Sequence, residues 1–208
     1  MDPTIIFFFI IILILSVVIH EVSHGYAANM LGDPTARLAG RLTLNPINHL
    51  DMVGSFIVPV IMFMTTHMVF GWAKPVPYNP YNLRKGRYGP AIVALAGPLS
   101  NIFIAIVFGL LIRFGVGAGM SSSFLEIFSV IVLINLVLAV FNMIPVPPLD
   151  GSKVLFAILP YKFYHIQEML ERYGLFVLLI IIFSAGSFIS PIINFLFTIL
   201  VGAGIPFF

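Results

Sequence analysis

The sequence predicts an all-α polytopic membrane protein. Of its 208 residues, 60% are apolar and only 9% are charged, whereas an ordinary soluble domain has about 25% charged residues. Because so few charges cannot cover the surface of a soluble globule, the composition excludes a soluble domain, a disordered chain and a nucleic-acid-binding protein. Spanning helices need about 20 residues each, and the apolar segments along the chain give about five to six membrane segments, one of them re-entrant.

The first predicted helix runs from about Thr4 to Met30 and ends at a Gly-Asp-Pro turn. No basic residue precedes its apolar run and no clear cleavage site follows it, so we expect a retained membrane helix rather than a signal peptide. The alternating sequence over residues 36–44 predicts a short β-hairpin. A charge-free stretch over residues 52–73 follows, and Pro59 interrupts it.

Further helices are predicted in the second half of the chain. The apolar segment that closes on a proline-rich stretch before Asp150 is expected to be a membrane helix. The last apolar region is long enough for one span and a second, broken one after Pro191, and the sequence leaves open whether residues 175–208 form one helix or two. The predicted segments are membrane helices at 90–112 and 127–149, a surface helix at 151–173 and the apolar region at 174–208.

The segment His20-Glu21-Val22-Ser23-His24 is an HExxH motif. On a helix, its two histidines lie one turn apart on the same face, so both imidazoles can reach one metal ion, and Glu21 projects beside that face. Given how rare His and Glu are in this chain, about 0.002 such matches are expected by chance. Ionisable side chains cost about 3 kcal/mol or more each near the centre of a bilayer, so the motif indicates a metal site rather than incidental polar residues.

A zinc site needs a third protein ligand, and the chain has no cysteine to supply it. Asp150 is favoured because it follows a break rich in proline, and irregular backbone at membrane depth occurs only where it lines a cavity or is buried in protein. The residues that remain open as the third ligand are Asp33, His49, Asp51, His67, Asp150 and His165.

The combination of HExxH with the later Asn142–Gly151 sequence NMIPVPPLDG resembles the site-2 protease family of intramembrane zinc metalloproteases. The similarity extends over most of residues 15–155. Further matching stretches are Gly97–Asn101, which fits a GPxxN segment, and residues 32–45 and 71–77, which are similar to a short bacterial and archaeal branch without a PDZ insertion.

The resemblance implies one zinc ion bound by His20, His24 and Asp150, with Glu21 as the base. It also implies that Asn101 and Asn142 line the site and hold the substrate backbone or an oxyanion. We expect a single domain over 1–208, with a catalytic core over about 4–155 and C-terminal helices over 156–208.

The implied activity is hydrolysis of peptide bonds in or near transmembrane segments of membrane proteins, such as regulatory factors or remnant signal peptides. The expected partners are such a transmembrane substrate and the lipid bilayer, with no nucleic acid. Two alternatives remain open. One is a membrane protein that binds or transports zinc without hydrolysis, and the other is a non-catalytic scaffold.

The distribution of basic residues predicts the topology. Arg37 and Arg41 precede the stretch 52–73 and four more basic residues follow it, so both of its ends are expected on the cytoplasmic side. The stretch would then enter the membrane and return, the N-terminus would lie outside, and the metal site would lie nearer the cytoplasmic face of a prokaryotic cell membrane.

Residues 36–44 and 72–78 are candidate edge strands for a substrate. A peptide bond inside a helix must be unwound before it is cleaved, and an exposed strand edge can hold an unwound segment by β-augmentation. Trp72, Lys74 and Val76 are therefore candidate substrate-binding residues, although an ordinary connecting loop explains these residues equally well.

Overall fold

The computed structural model describes residues 3–66 and 73–202, and these residues form helices and connecting loops without a β-strand. A π-helical turn, Val53–Ile57, precedes the third α-helix. The helices are α1 Pro3–Met30, α2 Thr35–Leu38, α3 Val58–Thr66, α4 Gly89–Gly117, α5 Ser122–Asn142, α6 Asp150–Ile158 and α7 Tyr164–Val201.

Three of the described helices are long and apolar enough to cross a membrane, namely Ile6–Met30, Gly86–Gly117 and Ser122–Asn142. Large apolar side chains also lie on the outside of the bundle: Phe103 is 67% exposed, Phe114 73% and Phe195 66%. Exposure of so many aromatic rings to water is unfavourable, whereas contact of the same rings with lipid chains is favourable. The protein is therefore an integral membrane protein.

Helices α1 and α5 run in the same direction, and α4 runs antiparallel to both. Along α1, Ser16 lies beside Asn101 of α4 and His24 lies beside Val93, so the two helices run in opposite directions. The connection between α1 and α4 starts and ends at the same end of the bundle, because Arg84 N donates to Leu31 O at 2.8 Å. The C-terminal ends of α1 and α5 are thereby brought to one end, as a shared metal site requires.

The predicted hairpin at residues 36–44 is wrong. The Asp33 carboxylate accepts hydrogen bonds from the backbone N and the hydroxyl of Thr35, which start the short helix α2. Gly40, with a φ of 64°, ends that helix, since Arg41 N then reaches Ala36 O at 3.0 Å. This local capping chemistry outweighs the alternating polarity that suggested strands.

Asp33 also anchors the segment that leads into α4. It is fully buried, and its other contacts are with Asn79 N at 2.7 Å and Asn82 Nδ2 at 2.9 Å. Burial raises the pKa of this carboxyl group, but the hydrogen bonds from Thr35, Asn82 and Asn79 lower it by more, so the pKa lies below its ordinary value. Asp33 is thus a structural residue and not a ligand of the HExxH site.

Of the two possibilities left open by the sequence, the described residues form one helix, because α7 continues through Pro191 to Val201. Beyond the proline, Ile193, Phe197 and Val201 are buried in a cluster with Ala105, Ile112, Val132 and Leu136 of α4 and α5. This packing holds the helix together across the single backbone donor that proline removes.

Candidate active site

Two histidines and one aspartate converge where α1, α4 and α6 meet. The His20 and His24 Nε2 atoms are 3.0 Å apart, and Asp150 Oδ2 lies 3.1 Å from His20 Nε2 and 3.3 Å from His24 Nε2. Asp150 comes from 130 residues away in the chain and is the first residue of α6. Among the described residues, this is the one group of three or more potential ligands that could hold a metal ion.

The ring nitrogens that face away from this group fix the protonation of both imidazoles. His24 Nδ1 lies 2.7 Å from the carbonyl oxygen of Val93, and a carbonyl can only accept, so Nδ1 carries the proton. His20 Nδ1 lies 2.6 Å from the amide oxygen of Asn101 and likewise donates to it. In the neutral form of each imidazole, Nε2 then has a lone pair that points at the other histidine and at Asp150.

This donor set fits a zinc ion. Two lone pairs and a carboxylate oxygen that face one another at 3.0–3.3 Å repel unless a cation or a proton lies among them. Zinc binds nitrogen and oxygen at about 2.0–2.1 Å in tetrahedral geometry, which puts neighbouring ligand atoms about 3.3–3.4 Å apart. The observed separations are close to that value.

Gly97 of α4 provides the space into which the two imidazoles project. A Cβ atom at this position would lie 2.5 Å from His24 Nε2 and 2.6 Å from His20 Nε2. The GPxxN segment therefore shapes the site through its first and last residues. Gly97 has no side chain and so leaves room for the imidazoles, and the amide of Asn101 contacts His20.

The proline-rich turn between α5 and α6 sets the position of Asp150. The next residue, Gly151, packs so closely that a Cβ atom there would lie 2.2 Å from Met143 O. Ser152 N and Ser152 Oγ both bond to Leu149 O, at 3.1 Å and 2.7 Å. The turn thus folds back tightly on itself and presents Asp150 at the start of its helix.

Glu21 lies beside the two histidines and contacts the connecting segment, residues 73–79. Its Oε2 accepts a hydrogen bond from Val76 N at 2.9 Å, and the Val76 side chain is buried against α1 near Gly25. The same segment is also bonded to the loop that precedes it in the chain, since Lys74 N donates to His49 O at 2.9 Å and Arg41 donates to Lys74 O at 2.7 Å.

The three candidate substrate-binding residues, Trp72, Lys74 and Val76, differ in where the structure places them. Trp72 lies outside the described residues. Lys74 is exposed, whereas Val76 is 6% exposed and offers its backbone rather than its side chain. The connecting segment has no partner strand in the described part of the chain, so it is not the edge of a sheet.

The two candidate asparagines also differ. Asn101 is fully buried beneath His20, which favours orienting the histidine over binding a substrate. Asn142 ends α5, and its amide donates to Leu138 O of the same helix at 2.9 Å. Sequence reasoning missed Asn135 and Ser16, which lie behind Asn101. Asn135 could have been found from the sequence, because an asparagine in the charge-free span of α5 needs a polar partner such as Ser16.

The other candidate third ligands lie elsewhere or have other partners. His49 is buried, and its Nε2 atom lies 2.8 Å from Thr43 O. The Asp51 carboxylate accepts a hydrogen bond from Gly54 N at 2.8 Å. His165 is exposed near the start of α7, and His67 lies outside the described residues. Of the six candidates, Asp150 is the one that the structure brings to the two histidines.

The chain resembles known proteins along most of its length. The model of peptidase family M50 matches residues 111–185. A Bacillus subtilis (strain 168) protein described as a "putative zinc metalloprotease" is 36% identical over 195 residues, which are 90% of this chain and 86% of that protein. No solved structure matches the chain significantly.

Two further proteins carry the same description. One, from Methanocaldococcus jannaschii, is 48% identical over 63 residues, or 30% of this chain and 31% of the relative. The other, from Mycolicibacterium smegmatis, is 29% identical over 140 residues, or 66% of this chain and 52% of the relative. The family model and the Bacillus relative agree with a His-His-Asp group suited to zinc, and the chain therefore belongs to peptidase family M50, the site-2 protease family of zinc metallopeptidases.

Proposed function

We propose that this protein is an intramembrane endopeptidase that cleaves peptide bonds in or next to the membrane-spanning segments of other proteins. The observation that carries the proposal is the convergence of His20, His24 and Asp150 within 3.0–3.3 Å, with Glu21 on the same helix. In this assignment the three residues hold one zinc ion and Glu21 is the general base.

The chain's own residues supply the proton transfers. A bound zinc ion supplies a Lewis acid that polarises the scissile carbonyl and makes water more acidic. The Glu21 carboxylate takes a proton from the attacking water as the new carbon–oxygen bond forms. It then gives that proton to the amide nitrogen as the carbon–nitrogen bond breaks, so the products are one carboxylate and one amine.

We assign the connecting segment to substrate binding because it passes over Glu21. In an extended chain, alternate residues present their N–H groups to the same edge. Pro75 and Pro77 have no N–H, so a substrate strand can receive donors from the edge that carries Lys74 and Val76. That edge now contacts His49 O and Glu21, and a substrate carbonyl would replace Glu21 as the acceptor of Val76 N.

The proposed topology places the site nearer the cytoplasmic face, with the stretch 52–73 entering and leaving the membrane on that side. The shared direction of α1 and α5 and the hydrogen bond between Arg84 N and Leu31 O support the return of the chain to one end of the bundle. The choice of the cytoplasmic side rests on the basic residues that flank the stretch. The three long apolar helices together with α3 and α7 then make five membrane segments. A reporter fused near position 80 should be cytoplasmic, and an extracellular signal would contradict this topology.

Substitution of Glu21 by glutamine tests the proposed activity. Glutamine has the same shape and can still accept from Val76 N, but it cannot take a proton from water. We expect the Glu21→Gln variant to keep its zinc and to cleave a transmembrane substrate about 10²–10⁴-fold more slowly. Regulatory membrane proteins and remnant signal peptides are the substrates to test.

The matched control is Glu126→Gln, the same change at an exposed position of α5 at the other end of the bundle, which should cleave like the wild type. A Glu21→Gln protein that cleaves within a few-fold of the wild type would refute the proposed base. A wild-type protein that binds zinc but cleaves none of the substrates would instead favour a zinc-binding or zinc-transporting protein.

A further inference from the structure

Behind the metal site, three helices contribute a buried group of polar side chains. Asn101 and Asn135 are fully buried, and Ser16 is 4% exposed. Asn101 Nδ2 donates to Asn135 Oδ1 at 2.8 Å, and Asn135 Nδ2 contacts Ser16 Oγ at 3.0 Å and Ile131 O at 2.9 Å. We refer to Asn101 and Asn135 as the amide relay.

The direction of every hydrogen bond in the amide relay follows from one backbone carbonyl. Ile131 O can only accept, so the side-chain atom of Asn135 that faces it must be the NH₂ group. The oxygen of Asn135 therefore faces Asn101, where it can only accept. The NH₂ group of Asn101 must in turn face Asn135, and its oxygen must face His20.

The orientation of the Asn101 amide fixes the proton on neutral His20. Its Nδ1 lies 2.6 Å from Asn101 Oδ1, which can only accept, so Nδ1 carries the hydrogen. Nε2 is then the atom with the free lone pair, on the side of His24 and Asp150. If the amide of Asn101 were reversed, its NH₂ group would face a ring nitrogen that must then be an acceptor, and the proton would move to Nε2, where it would block a metal ion.

We propose that Asn135 is a positioning residue that acts through Asn101 to hold His20 in its metal-binding tautomer, with Ser16 as its supporting acceptor. This inference rests on the proposed role of His20 as a zinc ligand. No substrate or metal contact is assigned to Asn135. Asn135 sets the orientation of the Asn101 amide. The orientation of Asn135 is in turn set by its hydrogen bond to the backbone carbonyl of Ile131.

The first test is the zinc affinity of Asn135→Leu, a substitution of similar size that removes the amide. Partners behind a metal ligand typically change metal affinity by 10–100-fold, and we expect a loss in that range when the purified protein competes with a chelator for zinc. The control is Ser129→Ala, which changes another buried polar residue of α5 and should bind zinc like the wild type.

A double-mutant cycle separates positioning from general damage to the fold. If Asn135 acts through His20, then Asn135→Leu has no further effect on zinc affinity in a His20→Ala background. Its effect should persist in a His24→Ala background, because Val93 O holds that histidine independently. The cobalt-substituted Asn135→Leu protein should also show the altered visible spectrum of cobalt-substituted His20→Ala.

Nitrogen NMR of ¹⁵N-histidine-labelled, zinc-free wild-type protein at alkaline pH gives a direct answer without a variant at position 135. The signal of His20, assigned by its loss in His20→Gln, should show a protonated Nδ1 and an unprotonated Nε2. The opposite tautomer would overturn the inference, as would full zinc affinity in Asn135→Leu. A wild-type protein that needs His20 for zinc yet cleaves nothing would refute the proposed protease activity and leave this inference standing.

Discussion

The two histidines of the site are held by different kinds of partner. His24 donates to the backbone carbonyl of Val93, which no substitution can remove. His20 donates to the side chain of Asn101, and that side chain depends in turn on Asn135. Two metal ligands of the same motif can therefore differ in how easily a substitution removes the hydrogen-bond partner that orients them. His24 should tolerate changes around it, whereas His20 should be sensitive to changes on two other helices.

A second contrast separates the back of the site from its front. The back consists of Ser16 and the amide relay, which are buried, and the carbonyl of Ile131 fixes the directions of the hydrogen bonds in the relay. The front is a single contact between Glu21 and the backbone of the connecting segment at Val76. Changes at the back should act on metal binding, while changes at the front should act on cleavage with the metal still bound.

The largest effect is expected from Gly97→Ala, which acts on both histidines at once. A Cβ atom there would lie within 2.6 Å of both Nε2 atoms, so the imidazoles must move apart. We expect at least a 100-fold loss of zinc affinity, measured by competition with a chelator.

Gly117→Ala is the control for Gly97→Ala, since it lies on the same helix with no atom within 4 Å of the added carbon, and it should bind zinc normally. Normal zinc affinity in Gly97→Ala would show that the histidines do not occupy the space above Gly97.

A smaller effect is expected at the front, from Val76→Pro. Proline removes the N–H that Glu21 accepts from and that we assign to the substrate, so cleavage should fall by about 10-fold or more while zinc content stays at the wild-type level. Val76→Ala keeps the N–H and shortens the side chain, and it should retain most of the cleavage rate. Equal cleavage by the two variants would count against the assigned role of the connecting segment.

The parts of the site that depend on local sequence could be predicted from the sequence. The histidine pair with Glu21 follows from helical spacing alone, and Asp150 was favoured because prolines isolate it at the end of an apolar segment. The partners of the histidines could not be predicted in the same way. Val93 contributes a carbonyl that every residue has, and Asn135 becomes informative when the packing of α1, α4 and α5 is known.

The fold shows the same division. The long apolar helices follow from composition, and α1 ends at Met30, where the Gly-Asp-Pro turn predicted its end. The hairpin prediction was wrong because Asp33 bonds to the first residue of a helical turn and Gly40 follows its end, and those contacts outweigh the alternating pattern. Helix α7 is continuous at Pro191 because the packing of its last turns against α4 and α5 compensates for one lost backbone donor.

His20, His24 and Asp150 are expected to bind one zinc ion together. The zinc content of purified protein tests this for the wild type, His24→Ala and Asp150→Ala, with His165→Ala as a control at an exposed histidine. We expect about one zinc ion per chain in the wild type and the control, and little zinc in the other two variants. Full zinc content in Asp150→Ala would show that Asp150 is not a ligand, because the ion would then be held without the residue that the structure brings to both histidines.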